Sequence, residues 1–237
     1  MSGLRRPRQD RFRAGLGRHL RAAAGTIGPV SNGRTPYQEA ARELLRKTVF
    51  DAAREQLAQQ TWSEITMADI ATGAGVSRQT LYNEFGNRNE FGFAFVIHEA
   101  ERFMDDVEEA VLEHRNDPRA AVLAALEHFL RTAAEDPLIS ILLSDDGTGG
   151  MLPFVTTQGL PVVQWAAARL TSVIEEGWPE APEEDVRRLA ESLVRLSISY
   201  VTTPGDSAGD AAKNVAELLG PFIDKALGSS GDALAET

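Results

Sequence analysis

The sequence predicts an all-α protein. Apolar residues recur at helical spacing through most of the 237-residue chain, and no segment shows the alternation of apolar and polar residues that marks a strand. Residues typical of helix starts precede several of these stretches. The hydrophobic share of 43% is ordinary for a globular core, and the length suits one large domain or two small ones.

The first predicted helix covers about Thr35–Gln59 and has Pro36 in its first turn. Proline is favoured there because its missing N–H would have no partner. A second helix is predicted at about Met67–Ala74. Thr66 and Asp69, just before and inside it, have the spacing of a capping box, in which each side chain bonds the other residue's backbone N–H.

A tight turn and a third helix follow directly. Gly73 and Gly75 can adopt the left-handed backbone that ends a helix sharply. Ser77 is a suitable N-cap for the next helix. Val76 and Leu81 have the spacing of a hydrophobic staple around that cap. Residues 61–91 therefore predict a helix-turn-helix.

The outer face of the third helix has side chains suited to DNA. Leu81 and Phe85 are four residues apart and share the buried face, so the polar residues between them face solvent. Arginine and amide side chains can bond base edges bidentately, and hydroxyl groups bind phosphate. We expect base contacts from Arg78, Gln79 and Asn83, and phosphate contacts from Thr66, Ser77, Thr80, Tyr82 and Arg88. An ordinary helix pair with a polar outer face is the alternative.

The net charge of −11 argues against binding to nucleic acid, but the distribution of the charges along the chain changes this interpretation. Residues 1–34 carry eight arginines and one acid, whereas residues 35–237 carry 16 basic and 34 acidic side chains. Affinity for phosphate depends on the local basic surface. We expect residues 1–34 to be a disordered arm that contacts the DNA backbone or minor groove. The alternatives are an N-terminal extension without a defined role and an organelle transit peptide.

Other functional classes find little support. The absence of cysteine excludes disulfides and thiolate metal sites and fits a cytoplasmic location. The four histidines form no zinc motif, and no apolar run of about 18 residues predicts a membrane span. The adjacent acids at 105–106 and 145–146 point to different helix faces, and no phosphate loop or dinucleotide fingerprint is present. We expect neither catalysis, nor a cofactor, nor a bound metal.

Further helices are predicted after the third one. They cover about 87–114, 117–135, 160–176, 182–203 and 206–227, with short pieces in 136–159 and a flexible tail at 228–237. Aromatic and apolar side chains are frequent between 91 and 165. They predict a ligand pocket with few polar anchors, for which plain core packing is the alternative. The candidate pocket residues are Phe95, His98, Phe129, Ile141, Leu142, Met151, Phe154 and Trp165.

Residues 34–227 resemble TetR/AcrR-family transcriptional regulators. The motifs that carry the resemblance are Ile-Thr-Met-Ala-Asp-Ile-Ala at 65–71, Ala-Gly-Val-Ser at 74–77 and Leu-Tyr-Asn-Glu-Phe-Gly at 81–86. The family more often has His or Tyr where Asn83 and Glu84 stand. The segments at 34–42, 77–86, 136–138 and 195–201 are similar to the branch that contains alkane-hydroxylase operon repressors and a quorum-signal-lactone regulator.

The resemblance implies a domain organisation and a quaternary structure. The expected parts are the basic arm at 1–34, a DNA-binding domain at 35–86, a ligand-binding and dimerisation domain at 87–227 and the tail at 228–237. A homodimer would place two reading helices roughly 34–36 Å apart, which matches a palindromic operator. The apolar stripes of the last two helices would then pack on the twofold mate, with burial in the monomer core as the alternative. The expected dimer-face residues are Leu189, Leu193, Leu196, Tyr200, Leu218 and Phe222.

The resemblance also implies a repressor with a long apolar effector. A fatty acid, its thioester or an acyl lactone would bind the DNA-incompetent conformation better and so release the operator. The helix that begins near Arg88 joins the DNA-binding domain to the pocket. It is expected to transmit the effect of ligand binding to the DNA-binding domain. A helical interaction scaffold without specific DNA binding is the alternative function.

Overall fold

The computed structural model describes residues 36–139, 150–205 and 207–228, and within these ranges it is helical with no strand. This confirms the predicted fold class. The α-helices are α1 (Pro36–Leu57), α2 (Met67–Gly73), α3 (Arg78–Phe85), α4 (Arg88–Glu113), α5 (Pro118–Glu135), α6 (Leu160–Gly177), α7 (Glu183–Thr202) and α8 (Ala208–Leu227), and a 3₁₀ turn covers Leu152–Phe154. The seven α-helices whose bounds were predicted begin and end within two residues of those bounds, because the caps and breakers that set them are local.

The chain divides into two compact units, residues 1–47 and 48–237, and the division falls within α1. The predicted boundary between residues 86 and 87 lies inside the second unit. An aromatic cluster explains the lack of a division there, because it packs residues from both sides of that boundary together. Its members are Phe50 of α1, Trp62, Phe85 of α3, and Phe91 and Phe95 of α4, with neighbouring ring centroids 5.1–6.3 Å apart.

Phe91 lies at the centre of this aromatic cluster and is fully buried. Its ring meets Phe85 edge-on at 5.1 Å and stacks with Trp62 at 6.1 Å. Edge-to-face contacts of this kind add to the hydrophobic stabilisation of aromatic side chains. The start of α4 is thereby fixed to the helix-turn-helix.

The remaining helices of the second unit, α4 to α8, form a helical bundle. Helix α5 packs on α4 and α8, and α6 packs on α7 and α4. The N-terminus of α5 is capped by Asp117, whose carboxylate accepts a hydrogen bond from the backbone N–H of Ala120 at 3.0 Å. An ion pair links Arg119 of α5 to Asp224 of α8, with 2.7 Å between Nε and Oδ1. Over the described ranges, no helix is long and apolar enough to cross a membrane.

Candidate nucleic-acid interface and ligand cavity

The predicted capping box begins α2. Thr66 Oγ1 accepts a hydrogen bond from the backbone N–H of Asp69 at 3.2 Å, and the Thr66 N–H donates to Asp69 Oδ2 at 2.9 Å. The Thr66 hydroxyl also donates to Asp69 Oδ2, at 2.6 Å. Hydrogen bonds from the Thr66 side chain and backbone lower the pKa of Asp69. The Thr66 hydroxyl is therefore engaged in holding the helix start.

The two turn glycines have different roles. Gly75 has φ 66°, the left-handed conformation that the sharp turn needs. Gly73 is helical, and the prediction of a left-handed role for it is wrong. A Cβ at Gly73 would lie 2.8 Å from Gln56 Nε2 and 3.4 Å from Ala52 Cβ, so Gly73 permits the close approach of α2 to α1. Gln56 Nε2 donates to the Asp69 carbonyl across that contact, at 2.8 Å.

Helix α3 has one buried and one exposed face, as predicted. Leu81 and Phe85 are buried. At its start, Ser77 Oγ accepts from the Thr80 N–H at 3.0 Å, which confirms the N-cap. The residues predicted to read bases, together with Tyr82, are exposed: Arg78, Gln79, Tyr82 and Asn83.

The exposed face of α3 includes a preformed amide pair. Gln79 Nε2 donates to Asn83 Oδ1 at 2.7 Å. This bond leaves the Gln79 carbonyl and its second N–H available to a base edge. A glutamine held in this way has the donor and acceptor that adenine requires.

A cavity of about 110 Å³ lies in the bundle between α4, α5, α6, α7 and the end of α8. Its lining includes a stripe of α4 at one-turn spacings, formed by Ala100, Met104, Val107 and Val111. None of the described lining residues is charged. Their polar side-chain groups are the Ser197 hydroxyl and the indole N–H groups of Trp165 and Trp178. An apolar cavity with few polar anchors is suited to a hydrophobic ligand.

Comparisons with known proteins agree with this arrangement of a helix-turn-helix and a helical cavity. Residues 49–94 match the family model of bacterial regulatory proteins of the tetR family, and residues 117–221 match that of the bacterial tetracyclin repressor C-terminal domain. The HTH-type transcriptional regulator AlkX of Mycobacterium tuberculosis (strain ATCC 25618 / H37Rv) is 36% identical over 202 residues, covering 85% of this chain and 95% of AlkX. The chain belongs to the TetR family. It is a DNA-binding transcriptional regulator, in a family of regulators rather than enzymes.

Solved TetR-family structures are similar over most of the chain. The repressor AlkX from Dietzia sp. strain DQ12-45-1b, implicated in biodegradation of n-alkanes, is 31% identical, covers 77% of this chain and 96% of its own, and has a TM-score of 0.67. The repressor QsdR of R. erythropolis shares the fold at 16% identity, with coverages of 76% and 95% and a TM-score of 0.54. The match to AlkX confirms the resemblance that the sequence motifs indicated.

Two of the predicted pocket residues, Phe129 and Trp165, line the cavity of this TetR-family chain. Ile141 and Leu142 fall outside the described residues. The other four are not among the described residues that line this cavity: Phe95, His98, Met151 and Phe154. All four lie on chain segments that also carry cavity residues or lead into them. Sequence position alone therefore could not distinguish them from the residues that line the cavity.

Two of these four residues face α1 instead. Phe95 is fully buried in the aromatic cluster, 6.1 Å from Phe50 between ring centroids. His98 stacks on Phe50 at 4.5 Å. Because both side chains lie on the face of α4 turned towards α1, they support the contact with the DNA-binding helices.

The other two belong to the segment before α6. Phe154 meets Trp62 edge-on at 6.4 Å and covers Gly92, where a Cβ would lie 2.5 Å from its ring. Met151 is buried, with 1% of its surface exposed. Phe154 is therefore an aromatic contact between the start of α4 and the chain that leads into α6.

Arg88 is also committed to internal contacts. Its guanidinium donates to the backbone carbonyls of Trp62 and Ile65, with 3.2 Å between Nε and the Ile65 oxygen. It lies 4.4 Å from the centre of the Trp62 ring, a cation–π distance. Burial lowers the pKa of Arg88. This geometry favours a structural role over the predicted phosphate contact.

A polar bridge joins α1 to the cavity helices. Arg54 of α1 donates to Glu99 of α4 and, at 3.4 Å, to Asp136 at the end of α5. Glu99 is the buried charged residue of the described chain, with 6% of its side chain exposed, and it also accepts from Arg102 at 3.3 Å. Sequence patterns gave no signal for this bridge because its partners are 45 and 82 residues from Arg54.

The predicted dimer-face residues separate into two groups. Leu189 and Leu193 are buried within the single chain, and Leu193 lines the cavity, so the monomer-core alternative holds for these two. The remaining four retain exposed surface: Leu196, Tyr200, Leu218 and Phe222. Leu218 is 74% exposed, which is unusual for a leucine in a long helix.

The cavity residues that the sequence interpretation missed are mostly small or aliphatic. Ala121 and Ala125 of α5 and Ala166 of α6 line the cavity with Ser197 and Ile198 of α7. Alanines leave space inside a bundle because their side chains end at Cβ. The one-turn spacing of Ala121 and Ala125 was the available signal, although it does not distinguish a cavity wall from close helix packing.

Proposed function

We propose that this chain is a repressor that binds a palindromic operator as a homodimer and is released when an apolar molecule occupies the cavity. The observation that carries the proposal is the exposed polar face of α3, held outward by buried Leu81 and Phe85. A polar helix face fixed in this way fits the major groove, with its first residues nearest the bases.

The exposed side chains divide by chemistry into two sets. Arg78 and Gln79 suit guanine and adenine edges, with Asn83 beside Gln79. The hydroxyl groups of Ser77, Thr80 and Tyr82 suit phosphate and would fix the register of α3 on the duplex. Thr66, whose hydroxyl and N–H both donate to Asp69, would contribute by holding the start of α2 rather than by the predicted phosphate contact. Arg88 contributes by holding Trp62 and Ile65 at the base of this domain.

The dimer is proposed to form through the exposed apolar side chains of α7 and α8. Leu196, Tyr200, Leu218 and Phe222 support this assignment, because solvent exposure of Leu218 leaves apolar area that a partner would bury. Substitution of Leu218 by Glu should convert the dimer to a monomer in analytical ultracentrifugation and weaken operator binding. Glu217→Gln, at the exposed neighbouring position, is the control. A dimer that persists in Leu218→Glu would move the interface elsewhere.

The basic arm is proposed to supply part of the electrostatic affinity. The described helix-turn-helix has few cationic groups facing outward, whereas residues 1–34 carry eight arginines. Each phosphate neutralised contributes about 0.9 to the slope of log affinity against log salt. Deletion of residues 1–34 should therefore flatten that slope. An unchanged slope would show that the arm does not contact DNA.

The effector is proposed to act through α4. This helix begins three residues after α3 ends and lines the cavity from Ala100 to Val111. A ligand that moves α4 would therefore change the position of α3. The relation of the Dietzia repressor to n-alkane degradation supports an alkyl compound, and the family resemblance predicts a fatty acid or acyl derivative.

The test of DNA recognition is a fluorescence-anisotropy titration with the DNA upstream of the gene, at two salt concentrations. Gln79→Ala should weaken specific binding by about 5- to 150-fold, since a bidentate base contact is worth roughly 1–3 kcal/mol. Gln164→Ala, on the exposed face of α6, is the matched control. Tyr82→Ala should weaken binding to all sequences. A wild-type protein with no preference over random DNA would support the scaffold alternative.

A further inference from the structure

We infer that Arg119 of α5 is a positioning residue for the proposed dimer face on α8. Its contact with Gly220 and Asp224 fixes the part of α8 from which apolar side chains face solvent. This inference rests on the proposed function, because it takes the exposed apolar residues of α8 to be the dimer surface. Arg119 itself lies outside that surface, on a different helix, and acts through α8.

Helix α8 contains a weak point at Gly220 and Pro221. Proline has no backbone N–H, so the carbonyl of Glu217, four residues earlier, lacks its usual donor within the helix. Glycine weakens a helix further, because it loses more conformational freedom on folding than other residues. Leu218 lies before this point and Phe222 after it. A contact that holds α8 on both sides of Pro221 therefore fixes the two apolar side chains relative to each other.

The guanidinium of Arg119 makes such a contact. It donates to both carboxylate oxygens of Asp224, from Nε to Oδ1 at 2.7 Å and from Nη2 to Oδ2. The same group lies against Gly220, where a Cβ would be 2.6 Å from Nη1 and 2.7 Å from Cζ. One planar group thus contacts α8 before and after Pro221. Because the bond to Asp224 is bidentate, it restricts the orientation of α8 as well as its distance from α5.

A side chain at position 220 would displace this guanidinium. Gly220 is buried inside α8, where alanine is the better helix former. Its Cβ position is occupied by Arg119, which is long enough to move aside. Movement of Arg119 would break its bonds to Asp224. Glycine at this position therefore serves the contact between α5 and α8 rather than the helix itself.

The same part of α8 is also held by α7. Lys225 Nζ donates to Asp185 Oδ2 at 3.1 Å and lies 5.5 Å from the centre of the Phe222 ring. Asp224 and Lys225 are adjacent, so one turn of α8 is bonded to α5 on one side and to α7 on the other. Loss of Arg119 would leave this turn bonded to α7 alone among these charged contacts.

The first test removes the contact without changing the proposed dimer surface. Arg119→Gln should raise the dimer dissociation constant in analytical ultracentrifugation by about 2- to 25-fold, since each dimer has two such contacts and an exposed ion pair accounts for up to about 5-fold. Arg131→Gln removes the same charge from an exposed position of α5, whose described hydrogen bond is to His128 on the same helix, and should leave the constant unchanged. An unchanged constant in Arg119→Gln would overturn the inference.

Arg119→Lys separates charge from geometry and serves if Arg119→Gln does not fold. Lysine keeps the positive charge but lacks the planar group that bonds both oxygens of Asp224. The dimer should therefore still be weaker than that of the wild type. A lysine variant with wild-type dimer affinity would show that charge alone suffices and would contradict the positioning role.

The second test fills the space of the guanidinium. Gly220→Ala should weaken the dimer as Arg119→Gln does. It should also raise the pKa of Asp224 in an NMR titration, because the hydrogen bond from Arg119 lowers that pKa. In an Arg119→Ala background the added Cβ meets no guanidinium, so Gly220→Ala should cause no further weakening. Single variants with a lowered Tm but an unchanged dimer dissociation constant would show a purely structural role and overturn the inference.

Failure of the proposed dimer surface and failure of this inference give different results. A dimer that persists in Leu218→Glu would overturn both. A monomeric Leu218→Glu together with an unaltered Arg119→Gln dimer would leave the interface on α8 and overturn the role of Arg119 alone. In operator titrations, Arg119→Gln should need more protein for half-saturation and still reach wild-type binding at saturation, because α3 is unchanged. Weaker binding at saturation would contradict an effect through the dimer.

Discussion

The helix-turn-helix and the ligand cavity use side chains in opposite ways. In the helix-turn-helix, buried Leu81, Phe85 and Phe91 hold the elements, while different residues on the outer face of α3 remain available for contact. Around the cavity, the same apolar residues both hold the bundle and face the empty space, as Leu126 and Leu193 do.

This difference separates stability from function in one region and couples them in the other. A substitution on the outer face of α3 can change recognition without affecting the core. A substitution in the cavity lining changes the packing of the bundle and the volume of the cavity together. A cavity inside a bundle also lowers the packing stabilisation of its lining, since those side chains lack contacts on one side.

The largest effect is expected for Phe91→Ala. Phe91 is fully buried at the centre of the aromatic cluster, and its truncation should lower the free energy of unfolding by about 3–5 kcal/mol. Phe129→Ala, half-buried beside the cavity, should lower it by only about 1–2 kcal/mol. Urea denaturation monitored by circular dichroism measures both. Equal losses would show that the lining packs as tightly as the aromatic cluster.

The next largest effect concerns the bridge between the two regions. Arg54→Gln removes a hydrogen-bonded cation from buried Glu99 and from Asp136, and should destabilise the protein by about 1–3 kcal/mol. Arg102→Gln is the control, because Arg102 contacts Glu99 from a more exposed position and does not contact Asp136 among the described bonds. Its effect should stay below about 1 kcal/mol. A reversed order in chemical denaturation would contradict the bridging role of Arg54.

A smaller effect is expected at the turn. Gly75→Ala should destabilise the helix-turn-helix by about 1–2 kcal/mol, the approximate penalty of a left-handed alanine. No atom lies within 4 Å of the added Cβ, so the effect is conformational and not steric. Gly209→Ala in the first turn of α8 also meets open space, and should be neutral or stabilising by up to about 1 kcal/mol. Hydrogen exchange of the α2 and α3 amides locates the loss, and unchanged exchange would contradict the prediction.

The smallest effect is a pKa change at the start of α2. The hydrogen bonds from Thr66 hold the pKa of Asp69 below its ordinary value of 3.8. The resulting stability is present above that value and lost as the pH falls through the folded-state pKa. Thr66→Val should raise the pKa of Asp69, measured by NMR titration of the side-chain carboxyl. Glu64 is the internal control, because its pKa is lowered by hydrogen bonds from Thr61, and a parallel rise in both would indicate a general change of fold.

The sequence was more informative about the helix-turn-helix than about the cavity for a physical reason. Caps and turns depend on residues within four positions of each other, so Thr66, Gly75 and Ser77 could be assigned before the structure was known. The cavity lining is assembled from five helices, and its position depends on which faces meet. Phe95 and His98 share α4 with Met104 but face α1, a distinction that periodicity alone does not provide.

Arg54 has a thermodynamic consequence for the whole regulator. Its guanidinium bonds both carboxylates only while the end of α5 stays close to α4. Any ligand that separates these helices breaks one bond to α1. By reciprocity, a duplex that fixes α1 must oppose that separation by the same free energy. A protein bound to its operator would then bind the proposed effector more weakly than the free protein does.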